Sequence, residues 1–132
     1  KYLIDRVLKV VNLMGNPDEI FQQLKKILTP YASEMDVVTD KPDNYYLNTH
    51  HVMKNKKPMY FGSVKISKNY ISFHLMPVYV FPDLLETITP ELKKRMQGKS
   101  CFNFKTEDTK LFQQLKALTQ AGYEKYEDTG YL

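Results

Sequence analysis

The residues of this 132-residue chain that could do chemistry are three histidines, one cysteine and ten tyrosines. His50 and His51 are adjacent, so in a strand their side chains point to opposite faces and do not bind one ion together. No Cys/His spacing typical of zinc sites accompanies them. A metal site made of His74, one of this pair and a carboxylate stays open as an alternative. The sequence favours surface imidazoles and predicts no metal and no cofactor.

Cys101 is the single cysteine, so the chain cannot form an internal disulfide, which is typical of a reducing cytoplasm. It lies in "SCFNFK" between apolar residues, a pattern typical of a small buried side chain. Lys99 nearby could favour its thiolate form. The chain has no Gly-x-Ser-x-Gly elbow, no P-loop and no dinucleotide-binding glycine motif. These absences favour a non-catalytic protein over an enzyme.

Aromatic and basic side chains alternate with aliphatic ones in "KPMYFGSVKISKNYISFHLMPVY", residues 57–79. The pattern predicts a β-hairpin with Lys68 and Asn69 as its two-residue loop. This register places Ile66 opposite Ile71, and a slip of one residue would turn half of the apolar groups outward. The predicted core face carries Tyr60, Val64, Ile66, Ile71, Phe73 and Leu75.

The opposite face of this hairpin, with its neighbouring loops, is the candidate ligand-binding surface. Its residues are Lys57, Tyr60, Phe61, Lys65, Tyr70, His74 and Tyr79. Tyr60 belongs to it only if it lies at the sheet edge, because alternation otherwise places Tyr60 in the core. Tyrosine suits a pocket wall or an interface, since it has an apolar body and a hydroxyl tip. We therefore expect a binding or accessory module whose partner is a small molecule or a protein.

Lysines beside aromatic rings on a sheet can also bind single-stranded nucleic acid by charge and stacking. The aromatic motifs of the RNA-binding sheet modules are missing from this chain, and lysines on edge strands also prevent sheet-to-sheet aggregation. The net charge of +4 is modest. Nucleic-acid binding is therefore a disfavoured alternative.

The hydrophobic period predicts the elements that position this surface. Steps of three and four over residues 3–14 predict a first helix. A second helix begins with Asn16 as N-cap and Pro17 at its first position, and Pro30 ends or bends it. Alternation after residue 35 predicts two strands around a turn at residues 40–43, followed by a polar connection over residues 50–58.

The C-terminal part predicts a helix that starts at Thr89 and stops at Gly98, a strand at "SCFNFK" and a last helix capped by Thr106. Gly122 weakens the end of that helix, and the last residues form a frayed tail. The elements together predict a single α+β domain over residues 1–132. Its largely antiparallel sheet of about five strands packs against N- and C-terminal helices.

The composition, 42% hydrophobic and 26% charged, is that of a globular domain. No apolar run reaches the ~20 residues that a membrane span needs. The first residues mix charges among the apolar positions and do not resemble a signal peptide. We expect a cytoplasmic protein, a monomer or a homodimer, with no membrane partner.

A family pattern covers roughly the last 70 residues. Its matching residues are Phe61-Gly62, Lys68, Ile71, Phe73, Pro77, Gly98-Lys99-Ser100, Phe102, Phe104 and the helix from Thr106. In this order of segments the chain resembles the YdhG-like family of small bacterial domains of unknown function. The resemblance implies a compact cytoplasmic α+β domain. Some relatives are described as frataxin-like iron chaperones, so the resemblance also implies iron delivery as an alternative function.

Overall fold

The computed structural model describes residues 16–132 of the chain. The predicted helix over residues 3–14 lies outside them. The elements are helix α1 (Pro17–Leu28), a 3₁₀ turn (Thr29–Glu34), strands β1 (Asp36–Lys41), β2 (Asn44–Val52), β3 (Pro58–Ile66) and β4 (Ile71–Leu75), helix α2 (Met76–Val80), a second 3₁₀ turn (Pro82–Thr87), helix α3 (Pro90–Lys93), strands β5 (Met96–Gln97) and β6 (Cys101–Phe104), and helix α4 (Thr109–Thr129). The described strands form one six-stranded antiparallel sheet in the order β1-β2-β3-β4-β6-β5. The predicted α+β class is confirmed, with one strand more than expected.

Helix α1 begins as its sequence predicts. The Asn16 Oδ1 accepts hydrogen bonds from the backbone N–H of Asp18 (3.0 Å) and of Glu19 (3.3 Å), which satisfies two donors that the first turn leaves free. Pro30 has no N–H to continue the helix, and the chain tightens into the 3₁₀ turn. The buried face of α1 packs on β3 and β4 and consists of Ile20, Phe21, Leu24, Ile27 and Leu28.

The central hairpin has the predicted register. Ile66 pairs with Ile71, and the Ser67 N–H donates to the Tyr70 carbonyl at 2.8 Å, which closes the two-residue loop. Strands β1 and β2 also form at the predicted positions. Strand β2 continues to Val52, so the polar connection is shorter than expected.

A β-bulge at Phe61 interrupts the alternation of strand β3. Gly62 pairs with Leu47 and Tyr60 pairs with Asn48, so Phe61 is an extra residue without a partner on β2. Because of the extra residue, the strand residues before the bulge point to the opposite face from the one that simple alternation predicts. Phe61 turns into the core, where it is 0% exposed, and Tyr60 turns to the opposite face. The predictions that Phe61 lies on the ligand-binding surface and Tyr60 on the core face were therefore wrong.

Three aromatic residues hold Phe61 in the core. Its ring lies 5.6 Å from that of Tyr31, 6.3 Å from that of Tyr123 and 5.9 Å from that of Tyr126, measured between centroids. The Tyr126 hydroxyl also donates to the Tyr60 carbonyl at 2.9 Å. Helix α4 therefore binds both the side chain and the backbone of the bulge.

The region after the hairpin differs from the sequence prediction in one respect. Thr89 caps α3 by accepting from the Leu92 N–H, as expected, but α3 ends at Lys93 rather than continuing to Gly98. The chain turns early because it pairs with β6: the Asn103 N–H donates to the Arg95 carbonyl at 2.8 Å. A local helix signal is thereby overridden by a non-local strand contact.

Helix α4 also has different ends from those predicted. Asp108, not Thr106, is its N-cap, because the Asp108 carboxylate accepts from the Leu111 N–H at 3.1 Å. The helix continues through Gly122 and ends at Thr129, where Gly130 adopts a φ of 81°. The first half of the predicted frayed tail, residues 127–129, is thus helix. The predicted core stripe is confirmed, since Leu111, Phe112, Leu115 and Leu118 are buried.

Gly122 allows helices α4 and α2 to approach each other closely. A Cβ atom at this position would lie 2.7 Å from the Pro77 Cβ, which is closer than carbon atoms pack. The absence of a side chain therefore lets α4 lie directly against Pro77.

We predict that Gly122→Ala lowers the free energy of unfolding by about 1–3 kcal/mol, because the added methyl forces the two helices apart. Helix propensity alone would raise the free energy of unfolding by about 1 kcal/mol. The sign of the measured change therefore shows which of the two effects dominates. Urea denaturation measures it. Lys116→Ala, at an exposed position of α4, is the control and should change stability by less than about 0.5 kcal/mol. A neutral or stabilising Gly122→Ala would contradict the close approach.

Candidate functional site

One face of the sheet carries polar and aromatic side chains that no described helix covers. Helices α1, α2 and α3 all contact α4, and α1 packs on β3 and β4, so the described helices share the other face. Cross-strand pairing fixes the members of this surface, which we call the open face. It comprises Asn44, Tyr46, Asn48, Tyr60, Ser63, Lys65, Ser72, His74, Cys101 and Asn103. All except Lys65 are half-buried.

Two cross-strand rows organise the open face. The first row runs across four strands and consists of Tyr46, Ser63, His74 and Cys101. The second row, next to it, consists of Asn44, Lys65, Ser72 and Asn103. Side chains in neighbouring rows are close enough to bind one ligand, because the spacing between them is set by the strands.

Tyr60 lies at the centre of the aromatic part of this face. Its ring stacks on Tyr46 with centroids 4.5 Å apart, and it meets the His74 ring edge-on at 4.8 Å. Its hydroxyl shares a hydrogen bond with Ser63. Burial raises the pKa of the Tyr60 phenol above its ordinary value. The hydroxyl therefore stays protonated and acts in hydrogen bonding rather than as a base.

His74 forms a hydrogen bond with a buried serine. Its Nε2 lies 2.7 Å from the Ser100 Oγ, and burial lowers the pKa of His74 below 6.5. A neutral histidine within hydrogen-bond distance of a serine hydroxyl is the arrangement in which a base can activate a nucleophile. Ser100, however, is only 7% exposed, and its carbonyl accepts the Leu75 N–H at 3.0 Å. The contact thus anchors the turn before β6 to β4.

The Cys101 thiol follows His74 in the first row. Burial raises its pKa, and a hydrogen bond with Ser72 only partly opposes that effect. The thiol therefore favours the neutral form, and the expectation that Lys99 promotes the thiolate does not hold. The Lys99 ammonium instead lies 5.9 Å from the centre of the Tyr79 ring. Cys101 contributes a small, weakly polar side chain to the open face.

Asn103 carries the one buried side-chain oxygen or nitrogen without a hydrogen-bond partner among residues 16–132, its Oδ1. Leaving a buried acceptor unpaired costs about 1–3 kcal/mol. Such an atom in a native fold calls for an explanation, and a ligand that supplies a donor is one. Asn103 lies next to Ser72 in the second row. Oδ1 is closed to solvent, but Asn103 as a whole is half-buried. A rotation of its side chain toward the open face would present Oδ1 to an external N–H or O–H beside Ser72.

The structure brings together some of the predicted site residues and separates others. Tyr60, Lys65 and His74 lie on the open face. Tyr70 is 36% exposed at the tip of the hairpin, and Lys57 is exposed at the opposite end of β3. These last two mark the ends of the surface rather than its centre.

Two further predicted residues lie elsewhere. Phe61 belongs to the core, as described above. Tyr79 is on α2, is 55% exposed, and lines a separate cavity of about 500 Å³. His74 does not line that cavity.

Sequence reasoning missed several members of the open face. They are Asn44, Tyr46, Asn48, Ser63, Ser72, Cys101 and Asn103. Tyr46 could have been found, because alternation in "NYYLN" places Tyr45 and Tyr46 on opposite faces. The others depend on which strands become neighbours, and a single strand pattern does not contain that information.

The described residues contain neither a metal-binding cluster nor a membrane-spanning helix. In the range 16–132, no three or more His, Cys, Asp or Glu side chains are placed where they could hold an ion together. None of the helices in this range has the length and apolar character that crossing a bilayer requires.

We predict that His74 makes the protein less stable in mild acid. Since its folded pKa lies below 6.5, the unfolded chain binds more protons as the pH falls from 6.5 toward the folded pKa, and unfolding becomes easier. The urea midpoint should therefore fall more between about pH 7 and about pH 5 in the natural protein than in His74→Gln. His51→Gln keeps His74 and should keep its contribution to the slope. Equal slopes in the natural protein and His74→Gln would contradict the burial of this imidazole.

We predict that Asn103→Leu raises the free energy of unfolding by about 1 kcal/mol, because an apolar side chain of similar size removes the unpaired buried oxygen. Asn44→Leu, in the same row but without such an atom, is the matched control and should not stabilise. Urea denaturation again measures both. A clear loss of stability in Asn103→Leu would mean that Oδ1 is paired in solution.

Comparison of the chain with protein-family models, with curated proteins and with solved structures found no match of any of the three kinds.

Proposed function

We propose that the chain is a non-catalytic binding module whose open face recognises a small planar molecule with an N–H donor. The observation that carries this proposal is the unpaired, buried Oδ1 of Asn103. Binding sites keep such groups at a cost in stability. The half-buried Asn103 side chain turns its oxygen toward the open face, where the ligand completes the hydrogen bond. The resemblance to the YdhG-like family, and with it a cytoplasmic location, remains a proposal that rests on the order of segments.

The chemistry of the face supports this class of ligand. Next to the Asn103 acceptor lie the Ser72 hydroxyl and the exposed Lys65 ammonium, which donate to a carbonyl or ring nitrogen. The stacked rings of Tyr46 and Tyr60 form an apolar wall beside these polar groups. A flat ring bearing both an N–H and an acceptor therefore matches the face.

Two alternatives are weaker proposals. Iron delivery needs convergent oxygen ligands, and residues 16–132 supply no such group of three. Single-stranded nucleic acid would stack its bases on exposed rings, but Tyr46 and Tyr60 already stack on each other. A steep fall of affinity with salt would favour the nucleic-acid alternative.

Nicotinamide is a suitable probe, because it presents an amide N–H and a carbonyl on a flat ring. We predict that titrating it into ¹⁵N-labelled protein shifts the backbone amide signals of Ser72, His74 and Asn103. N,N-dimethylnicotinamide lacks the N–H and should shift them much less, since it cannot donate to Oδ1.

Variants at Asn103 make the test specific. Asn103→Ala should abolish the shifts, and Asn103→Asp, which keeps an acceptor oxygen, should retain part of them. Asn69→Ala, in the hairpin loop, is the control and should bind as the natural protein does. Equal binding by nicotinamide and its dimethyl form, or no binding by either, would overturn the proposed ligand class.

A further inference from the structure

A second concave site lies away from the open face, between α2, α3 and the turn that joins β5 to β6. Its volume of about 500 Å³ falls in the range of small-molecule sites, about 300–1,000 Å³. Pro82, Leu85 and Met96 supply an apolar wall, and Tyr79 supplies a ring. A hydrophobic ligand body would gain free energy by leaving water here.

The charges around this cavity have one sign. Lys93 and Lys99 both line it, and none of the residues that line it is acidic. Within residues 16–132 neither lysine takes part in an ion pair. The nearby Asp83 is engaged by Lys125 at 3.5 Å. The cavity therefore combines an apolar interior with two ammonium groups that have no anionic partner among the described residues.

The position of Lys99 is fixed by its neighbours on both sides. Gly98 adopts a φ of 75°, which lets the chain turn sharply. Ser100 is bound to His74 through its hydroxyl and to Leu75 through its carbonyl. The Lys99 ammonium rests above the Tyr79 ring. Because this turn is held in place, binding an anion costs less conformational entropy than it would on a free loop.

We propose that this cavity binds an apolar molecule that carries one carboxylate. The hydrocarbon body contacts Pro82, Leu85 and Met96, and the carboxylate lies between Lys93 and Lys99. Two lysines and a mainly apolar wall suit a single charge on a hydrophobic body better than a highly charged phosphate, which usually draws on several backbone N–H groups as well. The site shares no residue with the open face, so this proposal does not depend on the function proposed above.

Octanoate and 2-naphthoate test the proposal, since they share the carboxylate and differ in a flexible or a rigid body. We expect one or both to bind in calorimetric titrations and to shift the amide signals of Tyr79, Gly98 and Lys99. Stronger binding by one of them identifies an aliphatic or an aromatic acid as the preferred class. Octylammonium, with the same chain and the opposite charge, should not bind, because both lysines repel it.

The double variant Lys93→Gln/Lys99→Gln should weaken binding by about tenfold or more, the loss expected for a charge-assisted contact. Lys94→Gln, the next residue along the chain from Lys93 and not part of the cavity wall, is the matched control and should bind as the natural protein does. Both cavity lysines are exposed, so the unfolding midpoint of the double variant should stay unchanged.

Three results would overturn the proposal. They are equal binding of octan-1-ol and octanoate, unchanged affinity in the double variant, and octanoate-induced shifts confined to the open face. Nicotinamide binding at Asn103 is measured separately. A negative result for the cavity therefore leaves the proposal for the open face untouched, and the reverse also holds.

Discussion

The extra residue at Phe61 is the constraint on which the two faces of the sheet depend. By interrupting the alternation of β3, it sends Phe61 into the core and Tyr60 to the open face. Without it, the aromatic wall of Tyr46 and Tyr60 would not exist, and helix α4 would lose the ring against which Tyr126 packs. The core and the candidate site are therefore made by the same local irregularity.

Much of the fold was predictable because the relevant physics is local. The Asn16 cap, the hairpin register around Lys68–Asn69 and the buried stripe of α4 follow from side chains within a few residues of each other. The errors have two sources. Thr106 and Asp108 are both good capping residues, and the sequence offers either of them as the N-cap of α4. The segment of α3 and β5 is decided by the non-local contact of Arg95 with Asn103, which a local pattern does not reveal.

The candidate site was predictable in part for the same reason. The alternating pattern correctly predicted that Lys65 and His74 share one face, because both lie in the regular part of the hairpin. It placed Tyr60 and Phe61 wrongly because a bulge has no clear signature in "MYFGS". Asn103 was missed as a site residue because its importance comes from an atom that lacks a partner, and that property exists only once β6 lies beside β4.

The hydrogen bond from Tyr126 to the Tyr60 carbonyl joins residues that are 66 positions apart in the chain. A ribosome makes the strand long before it makes the helix that secures it, since synthesis runs at about 5–20 residues per second. During that interval Phe61 lacks two of its three ring contacts, those from Tyr123 and Tyr126. Until α4 is synthesised, the chain lacks residues that cover Phe61 in the folded protein, and exposed aromatic side chains of this kind are surfaces that chaperones bind.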